Sequence, residues 1–94
     1  MSKELVQVPH ATLDFYKYEK DGLVYYEFNA TECQPPEPML NTISGLQMLT
    51  NNKERVVGTF FHEPFPLYQR ISTHFNYEAK QLEDGDFQVT FSKK

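Results

Sequence analysis

Residues 32–49, "ECQPPEPMLNTISGLQML", decide how this chain is read, because a proline-rich connection runs there into an apolar-striped segment. Pro35, Pro36 and Pro38 remove backbone donors and fix φ, so no regular element crosses them. Pro38 suits the first helical position, where the missing N–H costs nothing. After it, Met39, Leu40, Ile43, Leu46 and Leu49 recur at three- and four-residue spacing, which predicts an amphipathic helix. Asn51-Asn52 offers a left-handed stop.

Upstream, "LDFYKY" and "LVYYEF" flank "EKDG", whose Asp21-Gly22 pair is a turn signal; two aromatic runs around it predict a β-hairpin. Residues 1–10 hold few signals and Pro9 interrupts them, so they are expected to form a flexible lead-in to a single domain over 11–94. Downstream, "RVVGTFFHE" predicts a buried strand. "PFPLYQRISTHF" repeats the Pro-x-Pro device, with Leu67, Tyr68, Ile71 and Phe75 as the stripe of a second helix. "NYEAKQL" and "DFQVTFSK" flank Asp84-Gly85 as a closing hairpin, with Phe87, Val89 and Phe91 on one face. The order ββαβαββ makes an α+β domain, a mixed four- to five-stranded sheet with two helices on one face.

Ninety-four residues hold one core, and eight phenylalanines with six tyrosines favour strands within it. No apolar run reaches membrane-spanning length and the first ten residues lack a signal-peptide core, so the expected setting is cytoplasmic and away from membranes. A single cysteine excludes an internal disulfide and fits a reducing compartment. Thirteen acids against nine scattered bases give a net charge of −4, without the clustered basic face that nucleic acid requires.

Cys33 is the candidate thiol. A helix N-terminus favours a thiolate within about one turn, but a helix starting at Pro38 leaves Cys33 outside that field. Glu32 and Glu37 also flank it and raise its pKa, so a structural thiol is favoured over a nucleophile. The two helix starts supply a candidate binding edge: Pro36, Glu37, Pro38, His62, Glu63, Pro64 and Phe65. Glu37 and Glu63 repel anions, which disfavours a phosphate site and leaves a hydrogen-bonding or protein-docking edge. His62 and Glu63 close a strand, where residues commonly face a ligand crevice, though His10 and His74 add no metal-ligand spacing. If both helices cover one face, Tyr16, Tyr18 and Tyr25 form an aromatic band on the other, a candidate homodimer or partner surface.

Taken together, "CQPPEPMLNTISGLQML", "FFHEPFPLYQRI" and "LEDGDFQVTFSK" resemble the uncharacterised PPEP/EPFPL branch of the TusA-like (SirA-like) sulfur-carrier superfamily, over roughly residues 27–93. The resemblance implies a two-layer α/β sandwich, shared with the C-terminal domain of a bacterial translation initiation factor. Carrier members hold a persulfide on a cysteine directly before Pro-Glu-Pro; here Pro35 takes that place and Cys33 stands two residues earlier. Domains of this branch accompany haemerythrin-like or redox domains, which implies a bacterial redox or metabolic setting. The function expected is a small non-catalytic binding or accessory module that engages a partner protein or small ligand without a cofactor. The alternative is a persulfide carrier using Cys33.

Overall fold

Asp21 and Gly22 both adopt positive φ, 54° and 83°, the geometry of a two-residue type I′ turn. They join β2 (Phe15–Lys20) to β3 (Leu23–Asn29) in the expected hairpin, where Tyr18 stacks on Tyr25 with ring centroids 5.0 Å apart. The computed structural model describes residues 3–94. Within them the remaining elements are β1 (Glu4–Val6), α1 (Glu37–Leu46), β4 (Glu54–Phe60), α2 (Phe65–Ile71), β5 (Phe75–Gln81) and β6 (Phe87–Lys93). They form a six-stranded mixed sheet in the order β1-β2-β3-β4-β6-β5, with β3 and β4 parallel and every other neighbouring pair antiparallel.

The α+β class is as expected, but the strand count and chain order are not. The lead-in expected over residues 1–10 contains β1, which pairs with β2 through Glu4↔Lys17, Leu5↔Tyr16 and Val6↔Phe15. The order is therefore βββαβαββ, with six strands rather than four or five. Residues 1 and 2 of that lead-in lie outside the described residues. A strand of three residues with one neighbour leaves little alternation to detect, and its anchor, Val8, is buried just beyond it.

Cross-strand partners share a face, so Lys17, Tyr26, Val56, Phe91 and Tyr77 line one side of the sheet. A Cβ on Gly45 of α1 would meet Phe15 and Val56, and Tyr68 of α2 stacks on Tyr77 at 3.9 Å. Both helices therefore cover this one face. The core between the layers holds Phe15, Phe28, Val56, Leu67, Val89 and Phe91, each fully or almost fully buried. Gly58 lets two rings close over β4, since a Cβ there would sit 2.7 Å from both Phe28 and Phe60.

Helix α1 differs from its expected stripe. Leu46 and Leu49 are buried and Met39 and Ile43 half-buried, but Leu40 is 53% exposed, while Asn41, Thr42, Ser44 and Gly45 are buried. Small side chains let the helix settle close to Phe15. Pro36 is the N-cap and Pro38 the second helical residue, after Glu37. The helix stops at Leu46 through Gln47, in a right-handed conformation, and not in a left-handed turn at Asn51-Asn52. Likewise α2 ends at Ile71, and Phe75, expected in its stripe, opens β5. Among the described residues, no helix is long and apolar enough to cross a membrane.

Candidate functional site

Parallel β3 and β4 end on the same side of the sheet, and the Ala30 N–H donates to the Thr59 carbonyl at 2.8 Å, carrying their pairing to its last step. From there the chain leaves through residues 30–36 into α1 and through residues 61–64 into α2. Both connections end in Pro-x-Pro, with proline at the N-cap and at the second helical position: Pro36 and Pro38, Pro64 and Pro66. Fixed φ at these positions starts each helix without a side-chain cap. The peptide bond between Pro35 and Pro36 is cis.

Between the two connections lies a cavity of about 320 Å³. The first wall is Cys33, Pro35, Pro36, Pro38 and Met39; the second is Phe61, His62, Glu63, Pro64 and Pro66. Ala30, Phe60 and Leu67, all buried, complete it from the sheet side and α2. Its polar side-chain groups are the Cys33 thiol, the His62 imidazole and the Glu63 carboxylate. Phe61 is 60% exposed and holds the His62 ring edge-on at 4.5 Å.

The structure thus gathers Pro36, Pro38, His62, Glu63 and Pro64 of the predicted edge around one cavity, and adds Cys33 to its wall. Glu37 and Phe65 are not among the lining residues. The Glu37 carboxylate accepts the Thr12 hydroxyl at 2.5 Å, and Phe65, 61% exposed, leans edge-on against Tyr68. Ala30, Pro35, Met39, Phe60, Phe61, Pro66 and Leu67 also line the cavity, and the sequence assigns them to elements and connections but not to the edge. Phe61 is expected inside the buried strand that His62 and Glu63 close, but that strand stops at Phe60 and leaves Phe61 exposed at the cavity rim.

Burial raises the Cys33 thiol pKa, and the neighbouring Glu37 carboxylate, by charge and hydrogen bond, raises it further, with Glu32 adding to the effect. Cys33 therefore stays protonated at neutral pH, the reverse of an activated nucleophile. On the opposite wall the Tyr68 hydroxyl donates to Glu63 Oε2 at 3.2 Å. Burial raises the Tyr68 pKa, and the negative charge of Glu63 adds to it. Tyr68 is thus a fixed donor that orients the Glu63 carboxylate. Among the described residues, no cluster of three or more His, Cys, Asp or Glu is placed to hold a metal ion.

Tyr16, Tyr18 and Tyr25 stand on the uncovered sheet face. Tyr16 is 39% exposed, whereas Tyr18 and Tyr25 are half-buried and largely cover each other. Beside them Lys3 pairs with Glu27 and lies 5.1 Å from the Tyr18 ring centroid. No family model matches the chain, and neither a curated protein nor a solved structure matches it.

Proposed function

We propose that this domain is a non-catalytic binding module whose site is the cavity between the two proline-led helix starts. The observation that carries this reading is the cavity itself: a concave, mainly apolar space with three polar side-chain groups, Cys33, His62 and Glu63, on its wall. Its volume of about 320 Å³ lies at the lower end of ligand pockets. That size suits one aromatic or branched side chain of a partner, or a small apolar molecule. Glu63 and His62 supply the polar handle that fixes orientation. The Glu63 carboxylate, with Glu37 and Glu32 nearby, favours a ligand that donates hydrogen bonds or carries positive charge.

Backbone amide NMR with a set of small aromatic amines and their uncharged isosteres tests this reading. Binding shifts resonances of Cys33, Met39, His62 and Glu63, and the amines bind more tightly than the isosteres. Met39→Trp, which fills the cavity, abolishes those shifts. A folded protein that shows no shift there with any member of the set refutes the reading.

Persulfide carriage on Cys33 is the second reading, supported by the place of Cys33 in the cavity wall and by the resemblance to sulfur carriers. The Cys33 sulfur would attack the outer sulfur of a donor persulfide and release the donor thiolate. Incubation with cysteine and a cysteine desulfurase, followed by intact mass, decides it: one added sulfur that disappears in Cys33→Ala supports the carrier.

A further inference from the structure

The outer edge of β5 holds backbone hydrogen-bonding groups that the sheet leaves unused. β5 is the last strand, and β6 is its one hydrogen-bonded neighbour among the described residues. At the two ends of their register the Lys94 N–H donates to the His74 carbonyl at 3.1 Å and the Leu82 N–H to the Asp86 carbonyl at 2.7 Å. Bonding residues alternate along an antiparallel strand, so Asn76, Glu78 and Lys80 turn their peptide groups toward β6. Tyr77, Ala79 and Gln81 turn theirs outward. At the opposite edge β1 has only three residues, a length that offers little template, whereas β5 has seven, contains no proline and is exposed from Asn76 onward.

We propose that β5 pairs antiparallel with β5 of a second copy about a two-fold axis through Ala79, joining the two sheets into one. The axis must stand perpendicular to the sheet, so each residue faces one of the same parity and the register can centre only on a single residue. Centring on Glu78 sets two carboxylates against each other, and centring on Lys80 sets two ammonium groups against each other. Centring on Tyr77 places Glu78 against Asn76 and pairs no opposite charges.

Centring on Ala79 places Glu78 against Lys80 of the second copy and, by symmetry, Lys80 against Glu78. These pairs fall at the positions without backbone bonds, where facing side chains lie closest. The outward peptide groups then bond Ala79 to Ala79 and Tyr77 to Gln81, and the small Ala79 side chain sits at the axis. Tyr77, 44% exposed, gains a cover from Gln81 of the second copy.

Sedimentation of the whole chain across micromolar to millimolar concentrations tests the proposal, with circular dichroism as the control for folding. The wild type reaches dimer mass. Ala79→Pro removes the N–H at the axis without touching the β5–β6 ladder, and stays monomeric. Lys80→Glu sets like charges opposite each other twice and weakens dimerisation about tenfold or more. Combining Glu78→Lys with Lys80→Glu exchanges the charges and restores association to within about threefold. A wild type that stays monomeric overturns the proposal. So does a dimer that persists in folded Ala79→Pro, which would place the contact on another surface such as the tyrosine face. A charge exchange that fails to restore association overturns it as well.

Discussion

Asn41 is the side chain on which the junction between the N-terminal segment and α1 depends. It is 1% exposed, and its Oδ1 accepts the Thr12 and Leu13 N–H groups at 2.8 and 3.0 Å. Its Nδ2 donates to Thr12 Oγ1 and to the Glu37 carbonyl, both at 2.9 Å. Both acceptor sites and both donors of the amide are thus occupied. Asn41→Leu keeps the branched shape, excludes water and leaves two backbone N–H groups without partners, so it should cost about 2–4 kcal/mol. Urea unfolding measures this, and a loss below about 1 kcal/mol would contradict the clamp. Cys33 yields a prediction of another kind. With its pKa raised by burial and Glu37, its alkylation rate should climb through a pH midpoint above that of an ordinary thiol, about 8.5. Glu37→Gln should lower that midpoint. A midpoint below 7 would return Cys33 to the class of activated thiols. The flanking acids made this direction legible in the sequence. The role of Asn41 was not, because a polar residue between Leu40 and Thr42 gives no sign of which backbone amides it will meet.

At the scale of elements, periodicity found both helices and the closing hairpin, but it misjudged what α1 buries. The expected stripe treats Leu40 as core, yet Leu40 is 53% exposed while Ser44 and Gly45 are buried. The decisive contact is the close approach of Gly45 to Phe15, which hydropathy does not register. Leu40→Gln should therefore change stability by no more than about 0.5 kcal/mol, where truncating a buried leucine would cost about 2–5 kcal/mol. Chemical denaturation separates the two. The connection from α1 to β4 is held by Glu54, whose Oε1 accepts the Thr50 N–H at 2.6 Å, the Thr50 hydroxyl at 3.0 Å and the Asn51 N–H at 3.3 Å. Burial alone would raise the Glu54 pKa, but these hydrogen bonds outweigh it and the net shift is downward. A lowered folded-state pKa contributes stability above the unfolded glutamate value, and that contribution fades as pH falls through the folded value. Acid titration of the unfolding midpoint should therefore lose a component below about pH 4.5 that Glu54→Gln lacks. An equal acid slope in both proteins would remove Glu54 from that role.

At the scale of the whole molecule, the strand order places stability unevenly. β2, β3, β4 and β6 each have two neighbours, and their inner residues Phe15, Phe28, Val56, Val89 and Phe91 are buried, whereas β1 and β5 lie at the margins. Of this order only the two hairpins, β2–β3 and β5–β6, were readable along the chain. A parallel pair formed across α1, and a final strand inserted between β4 and β5, are long-range choices made by burial of the aromatic face. The candidate cavity was more legible, because both of its walls are announced by the same Pro-x-Pro device and parallel strands deliver both to one end of the sheet. Native-state hydrogen exchange should reproduce the gradient. Backbone amides of β3, β4 and β6 should exchange only through global unfolding. Those of β1 should exchange through local detachment, since three residues and one neighbour offer few bonds to break. The Tyr77, Ala79 and Gln81 amides should exchange fast at high dilution and slow down as concentration rises, while those of Asn76, Glu78 and Lys80 should be protected throughout. Equal protection across β1 and β4 would mean that the margin is as firm as the centre. Tyr77, Ala79 and Gln81 amides that are protected even at high dilution would mean that the outer edge of β5 is covered within a single chain.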